Sequence, residues 1–163
     1  MTTIKFIQDK SMEITKANIN DFIGISCLDR IAWKDNKHSD FIPDGEHIWR
    51  LWVEYSSVYV AKKDNLIIGS AVMFAANDEN IFLLHKMFVD NRYRGLGIGG
   101  LIFEHLTEEL DRRKVDCMLT TDPLNSTMIR LCAKHGFTDK KFVASYYGSN
   151  EDRYVIHRRH KAE

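Results

Sequence analysis

The stretch Arg94-Gly95-Leu96-Gly97-Ile98-Gly99-Gly100 decides how this chain is read. Four glycines fall within six positions, between the apolar run Ile81 to Val89 and the amphipathic run Ile98 to Leu110. Glycine in a strand-to-helix turn accepts positive φ and lets a ligand reach the backbone with no Cβ in the way. The first amides of the helix that follows have no intrahelical acceptor and sit at the positive end of its dipole. A phosphate or pyrophosphate is the natural occupant, and Arg94 adds a full positive charge beside it.

The same letters satisfy two phosphate-binding patterns. From Gly95 they read G-x-G-x-x-G (Gly95, Gly97, Gly100), the dinucleotide fingerprint, with the acidic Asp122 about twenty positions on. From Arg94 they read Arg/Gln-x-x-Gly-x-Gly/Ala (Arg94, Gly97, Gly99), which resembles the acyl-CoA pyrophosphate loop of the Gcn5-related N-acetyltransferase (GNAT) superfamily. Context separates them. A dinucleotide loop follows its strand almost directly, whereas five polar residues, Asp90 to Arg94, intervene here. The 63 residues after Gly100 also leave too little chain for the further βα units of a dinucleotide domain.

The resemblance extends beyond the loop. Met87 to Gly99 looks like the family block L-x-V-x-P-x-Y-R-G-x-G-I-G, with Asn91 where proline is common. Asn125-x-x-Met128-x-x-Leu131-Cys132-x-Lys134-x-Gly136-Phe137 is similar to N-x-x-A-x-x-L-Y-x-K-x-G-F. Both blocks occur in the right order, and the specific resemblance covers about residues 55–160. It implies a mixed α/β (α+β) fold: a mostly antiparallel sheet of six to seven strands flanked by about four helices. One parallel strand pair is expected to splay apart and take acetyl-CoA between its strands. The resemblance places Met87, Phe88 and Val89 beside the pantetheine arm. It places Arg94, Gly95, Leu96, Gly97, Ile98, Gly99 and Gly100 around the pyrophosphate, and Asn125 on the arm's far side. Asn125 reads equally well as a helix N-cap.

Local patterns agree with that element order. Met12 to Ile14 or Ile4 to Ile7 supplies a first strand, and Asn18 or Asn20 caps a helix carrying Phe22, Ile23, Ile25, Leu28 and Ile31. A second helix carries Ile48, Trp49, Leu51, Trp52 and Tyr55. Val58 to Lys62, Leu66 to Ala75 and Ile81 to Val89 read as an antiparallel meander. The helix after the glycines buries Ile98, Leu101, Ile102, Leu106 and Leu110, and leads by a right-handed crossover to a parallel strand at Val115 to Thr120. A helix from Asn125 or Ser126 to His135 ends at Gly136, and a hairpin of Phe142 to Tyr147 and Arg153 to Arg159 closes the chain.

Bulk properties bound the rest. At 163 residues and 44% apolar content, the chain reads as a single domain, residues 1–163, with no run long enough to span a bilayer. Formal net charge is zero, so neither nucleic acid nor a membrane surface is expected as a partner. Three cysteines (Cys27, Cys117, Cys132) lack metal-ligand spacing, which suits reduced thiols in a cytoplasmic protein without a bound metal.

Acetyl transfer to an amine calls for a general base and a proton for the departing thiolate. His85, four residues before Val89 and expected on Met87's side of the pleat, is the candidate base; a hydrogen-bonded core histidine is the alternative. Asp122 is the second choice. The tyrosine that commonly serves as acid in the resembled family is replaced by Cys132, which reads as a short thiol donor or as a core residue. Tyr146 or Tyr147, on the hairpin strand, is the substitute. Trp33, Trp49, Trp52 and Glu54 line an aromatic, partly acidic cleft for a cationic amine, or belong to the core or a homodimer surface. The expected activity is direct transfer in a ternary complex to a small-molecule or peptide amine, against a catalytically silent acyl-CoA sensor.

Overall fold

The computed structural model describes residues 11–35 and 43–161. Its elements are β1 (Met12–Lys16), α1 (Phe22–Lys34), α2 (Glu46–Tyr55), β2 (Ser57–Lys63), β3 (Leu66–Ala75), β4 (Ile81–Val89), α3 (Ile98–Arg113), β5 (Asp116–Thr121), α4 (Ser126–Lys134), β6 (Asp139–Val143) and β7 (Arg153–Arg158). The seven strands form one sheet in the order β1-β2-β3-β4-β5-β7-β6. All neighbours are antiparallel except β4 and β5, which α3 joins in parallel. No described helix is long and apolar enough to cross a membrane.

Two apolar layers hold the sheet. On one face Ile98, Ile102, Phe103, Leu106 and Leu110 of α3 pack with Cys132 of α4 against Ala71, Met73, Leu84 and Leu119. On the other, Ile25 of α1 and Trp49 of α2 pack against Val58, Val60 and Val72, with Phe74 and Phe88 at the margin. The meander forms where alternating and β-branched runs predict it, and β3 and β4 keep the expected bounds. α4 ends as expected at Gly136, whose φ of +83° suits a residue without a Cβ. Phe137 N–H bonds Cys132 C=O at 2.9 Å, and Gly136 N–H bonds Ala133 C=O at 3.4 Å, which closes the helix in a Schellman turn.

Three local expectations are corrected. Asp21, rather than Asn18 or Asn20, stands at the α1 N-cap, and its carboxylate accepts Asn18 N–H at 2.8 Å and pairs with Lys62 at 2.8 Å. The penultimate strand runs over Asp139–Val143 and not over Phe142 to Tyr147. Ser145, Gly148 and Asn150 all have positive φ, and Ser145 N–H bonds the Asp152 carboxylate at 2.8 Å, so this segment folds into a loop. The alternative first strand at Ile4 to Ile7 lies outside the described residues.

The third correction concerns β4. Leu84 pairs with Met73 and Lys86 with Val72, so His85 is an extra residue in a β-bulge. A bulge inverts the alternation of side chains beyond it. Phe82 and Leu84 join the α3 layer before the bulge, and Met87 and Val89 join it afterwards. His85 instead lies 5.1 Å from the Trp52 ring and 5.9 Å from Phe74, on the α1/α2 face. Its expected place on Met87's side does not hold.

Candidate active site

The parallel pair opens into the site. β4 and β5 are in register only at Ile81–Asp116, Phe82–Cys117 and Leu83–Met118. Beyond Met118, β5 continues to pair with β7 as far as Thr121, while β4 runs on beside β3 to Val89. The two strands separate toward their C-terminal ends. Val89 C=O accepts Arg94 Nε–H at 3.2 Å, and Asp90 N–H bonds Ile68 C=O at 2.8 Å on the β3 side. With a period of two, the backbone groups of Met87 point the same way as those of Val89, into the opening.

Past Val89 a short 3₁₀ turn, Asn91–Tyr93, is held by the Asp90 carboxylate, which takes Arg92 N–H at 3.0 Å and the Arg92 guanidinium at 2.7 Å. This turn accounts for the polar residues between strand and glycines. Gly95 and Gly97 have φ of +77° and +82°, and a Cβ at either would meet nothing within 4 Å. The loop therefore uses glycine for its backbone conformation and for open access. Gly97 is the residue before α3, and the first helical amides, those of Ile98, Gly99 and Gly100, have no acceptor in their own helix. Leu96 and Arg94 are exposed at its rim, and Arg94 lies 3.8 Å from Asp35 at the end of α1. Open positive-φ glycines, free amides and a nearby guanidinium fit a pyrophosphate, and the separated strands fit an extended, amide-bearing arm.

Phe88 does not face the opening: its ring packs at 5.9 Å on Trp49 in the α1/α2 layer. Asn125 stands at the α4 N-cap, where its Oδ1 accepts Met128 N–H at 3.1 Å, so the capping role read from sequence is realised. Asp122 Oδ1 accepts Leu124 N–H at 2.8 Å and shapes the turn before α4.

At the base of the opening lies a cleft of about 170 Å³, with Phe74, Leu84, His85, Met118, Thr120 and Tyr147 in its walls. Tyr147 reaches it from the β6–β7 loop. Its hydroxyl is 3.0 Å from Thr120 Oγ1, its ring lies 5.1 Å from the Arg153 guanidinium, and Tyr146 meets it edge-on at 4.7 Å. His85 Nε2 is 3.2 Å from Asp44 Oδ2. That hydrogen bond, aided by Lys86, outweighs partial burial and holds the Asp44 carboxyl down to about 2. Asp44, Lys86 and Thr120 were absent from the sequence-derived site. Asp44 lies in the Pro43-Asp44-Gly45 segment just before α2, which carries no catalytic signature, 41 residues from His85.

Cys132 is elsewhere. It is 1% exposed within the α3/α4 layer, and burial pushes its thiol up to about 11. The proposed aromatic cleft also divides. Trp49 is fully buried, with Nε1 donating to Asp29 at 2.9 Å, and Glu54 pairs with Arg50. Trp52 stays beside His85, and the Trp33 ring lies 5.3 Å from the Lys86 ammonium.

Solved structures share this architecture. Salmonella typhimurium yncA, solved with its cofactor acetyl-CoA, matches at a TM-score of 0.82 and 17% identity over 94% of this chain and 96% of that one. The ribosomal-protein-S18-alanine N-acetyltransferase of Escherichia coli gives a TM-score of 0.75 and 18% identity over 93% and 96%. The ribosomal-protein-alanine N-acetyltransferase of Brucella melitensis gives 0.78 and 19% over 90% and 98%. At these identities the likeness is one of fold. Comparison with curated protein sequences returned no match. Residues 25–137, more than two-thirds of the chain and spanning both the glycine loop and the separating strands, match the Acetyltransferase (GNAT) family, to which this chain therefore belongs.

Proposed function

We propose that this acetyltransferase acetylates a primary amine by direct transfer from acetyl-CoA, with His85 as general base and the Tyr147 hydroxyl as proton donor. One observation carries the reading. The open edge of β4 runs from the His85 cleft to the positive-φ glycines, which gives a single extended cofactor room to reach both. Bound acetyl-CoA supplies the activated acyl group as a thioester. The loop from Arg94 to Gly100 binds its pyrophosphate, and the Met87 and Val89 backbone orients its arm. His85 removes a proton from the acceptor nitrogen, and Tyr147, tethered through Thr120, holds a hydroxyl proton across the same cleft. Buried Cys132 takes no part.

The acceptor is a small primary amine or a peptide α-amine. Trp52, Phe74 and the two tyrosines offer an apolar, aromatic wall to the group that carries the nitrogen. Two of the structural neighbours are named ribosomal-protein alanine N-acetyltransferases, which keeps the peptide amine in view.

Calorimetric titration with acetyl-CoA, with NAD as a parallel control, tests the cofactor. Thiol release is then followed with tyramine, spermidine and short peptides bearing free α-amines. Micromolar binding of acetyl-CoA with release for at least one amine is the expected result. Binding without release across the whole panel makes the chain an acyl-CoA sensor, and binding of NAD instead overturns the reading of the loop.

A further inference from the structure

His85 sits at the end of a chain of polar contacts that begins in the core. Trp49 Nε1, on α2, donates to Asp29 Oδ2 on α1 at 2.9 Å. Asp29 is 2% exposed, and its two oxygens accept Lys86 Nζ at 2.9 and 2.7 Å. The same ammonium lies 2.8 Å from Asp44 Oδ2, and Asp44 Oδ2 lies 3.2 Å from His85 Nε2. Residues of α1, of α2 and the segment before it, and of β4 thus form one chain of contacts that ends at the imidazole.

The bulge makes this convergence possible. Successive residues of a regular strand point to opposite faces. Because His85 is the extra residue of the bulge, both His85 and Lys86 reach the same carboxylate on the α1/α2 face. Lys86 is 14% exposed and fixed by buried Asp29, so Asp44 is anchored from behind and offers its remaining acceptor capacity to the ring.

From this geometry we infer that Asp44 is the positioning residue of the transfer reaction, fixing His85 as the Nε2–H tautomer and leaving Nδ1 as the proton acceptor. The chemical meaning of this inference rests on the acetyl-transfer reading above. A carboxylate can only accept, so the proton of the 3.2 Å contact belongs to Nε2. Nδ1 then carries the lone pair and has no hydrogen-bond partner among the described residues. Among the described residues, the ring also meets Trp52 from α2 and Phe74 from β3, which are uncharged, and faces Tyr146 and Tyr147 across the cleft. Among the described residues, Asp29, Asp44 and Lys86 of this chain of contacts sum to a charge of minus one, with Asp44 against the ring. When Nδ1 takes the proton leaving the acceptor nitrogen, the imidazolium meets that charge and Nε2–H is retained. The pairing orients the ring and stabilises its charged form with one group.

The test uses the full chain labelled with 15N-histidine. At about pH 9, above the ordinary histidine range, the His85 ring shifts of the wild type report the Nε2–H tautomer, and Asp44→Asn gives a mixture. A second arm measures transfer to tyramine. Asp44→Asn lowers kcat about tenfold, leaves KM for acetyl-CoA within about twofold, and is partly rescued by Asp44→Glu. In the His85→Ala background the same change costs less than about twofold, since Asp44 acts only through the ring. An Nδ1–H tautomer in the wild type, an unaltered tautomer in Asp44→Asn, or an equal cost in both backgrounds would sink the proposal. Failure of the wild type to acetylate any amine strikes the acetyl-transfer reading instead, while the ring shifts still decide the tautomer.

Discussion

At Gly97 a single missing methyl group serves the backbone and, in the proposed reading, the ligand. Its φ of +82° lies in the left-handed region, and a Cβ there would touch no protein atom. The penalty of Gly97→Ala is then conformational, about 1–2 kcal/mol, with the new methyl projecting where phosphate oxygens approach. KM for acetyl-CoA is expected to rise about tenfold or more, against a modest loss of urea resistance. An unchanged KM would mean that the loop holds no phosphate. Cys132 presents the opposite case, a residue whose motif position suggests chemistry and whose surroundings are core. Cys132→Ala should cost about 1 kcal/mol in urea denaturation, from lost packing, and leave the transfer rate within about twofold. A tenfold loss of rate at unchanged stability would return the thiol to the mechanism.

At the scale of the element, the bulge in β4 decides which side chains join the α3 layer and which face α1 and α2. The bonded neighbours on either side of it, Leu84–Met73 and Lys86–Val72, are already in step, so removing His85 leaves a continuous ladder. Leu84 then keeps the α3 face and Lys86 the α1/α2 face, as a period of two requires. Deletion of His85 is therefore expected to preserve the far-ultraviolet circular dichroism spectrum and acetyl-CoA binding while abolishing amine acetylation. Collapse of the fold on deletion would show that the bulge is needed for the sheet itself. The β6–β7 loop makes a similar point. Its positive-φ residues take Tyr147 off the strand and lay its hydroxyl against Thr120.

Across the whole molecule, Glu109 ties α3 to the first two strands. Its fully buried carboxylate accepts Ser57 Oγ and Tyr59 Oη, each at 2.7 Å, and pairs with Arg113 at 2.7 Å and Lys16 at 3.4 Å. Burial alone pushes this carboxyl up, but the hydrogen bonds from Ser57, Tyr59 and Arg113 with the Lys16 charge prevail and hold it down to about 2. Burial, together with the adjoining carboxylate, pushes the Tyr59 hydroxyl up to about 12. The folded carboxyl thus titrates below the unfolded one, which lies near ~4.3. Its contribution, about 3 kcal/mol, is complete above about pH 5 and fades as pH falls toward ~2. Glu109→Gln should lower stability near neutral pH by about 2–4 kcal/mol and flatten the loss between about pH 5 and 2. Urea midpoints measured across that range check both parts, and an unchanged acid slope would rule Glu109 out as its source.

The glycine loop, the meander, the crossover and the capping of α4 were legible in the chain because each rests on local chemistry. Positive φ demands glycine, a half-buried strand demands alternation, and a helix end demands a cap. Arg94, Gly97 and Gly99 with the Asn125 block were enough to point to the family. The proposed reacting groups were only partly legible. His85 and Tyr147 were singled out, but the face of His85 depends on a bulge whose partner strand lies a dozen residues away. The place of Tyr147 depends on a loop conformation rather than on strand alternation. Asp44 and Lys86 acquire meaning only when the residue before the α2 N-cap is laid beside β4, a long-range contact that no local pattern encodes. The sequence by itself determined the fold and the glycine loop, since these follow from propensity and period. Only the tertiary structure decided which side chains meet at the cleft and which, like Cys132, are enclosed, because burial and register arise between elements and not within them.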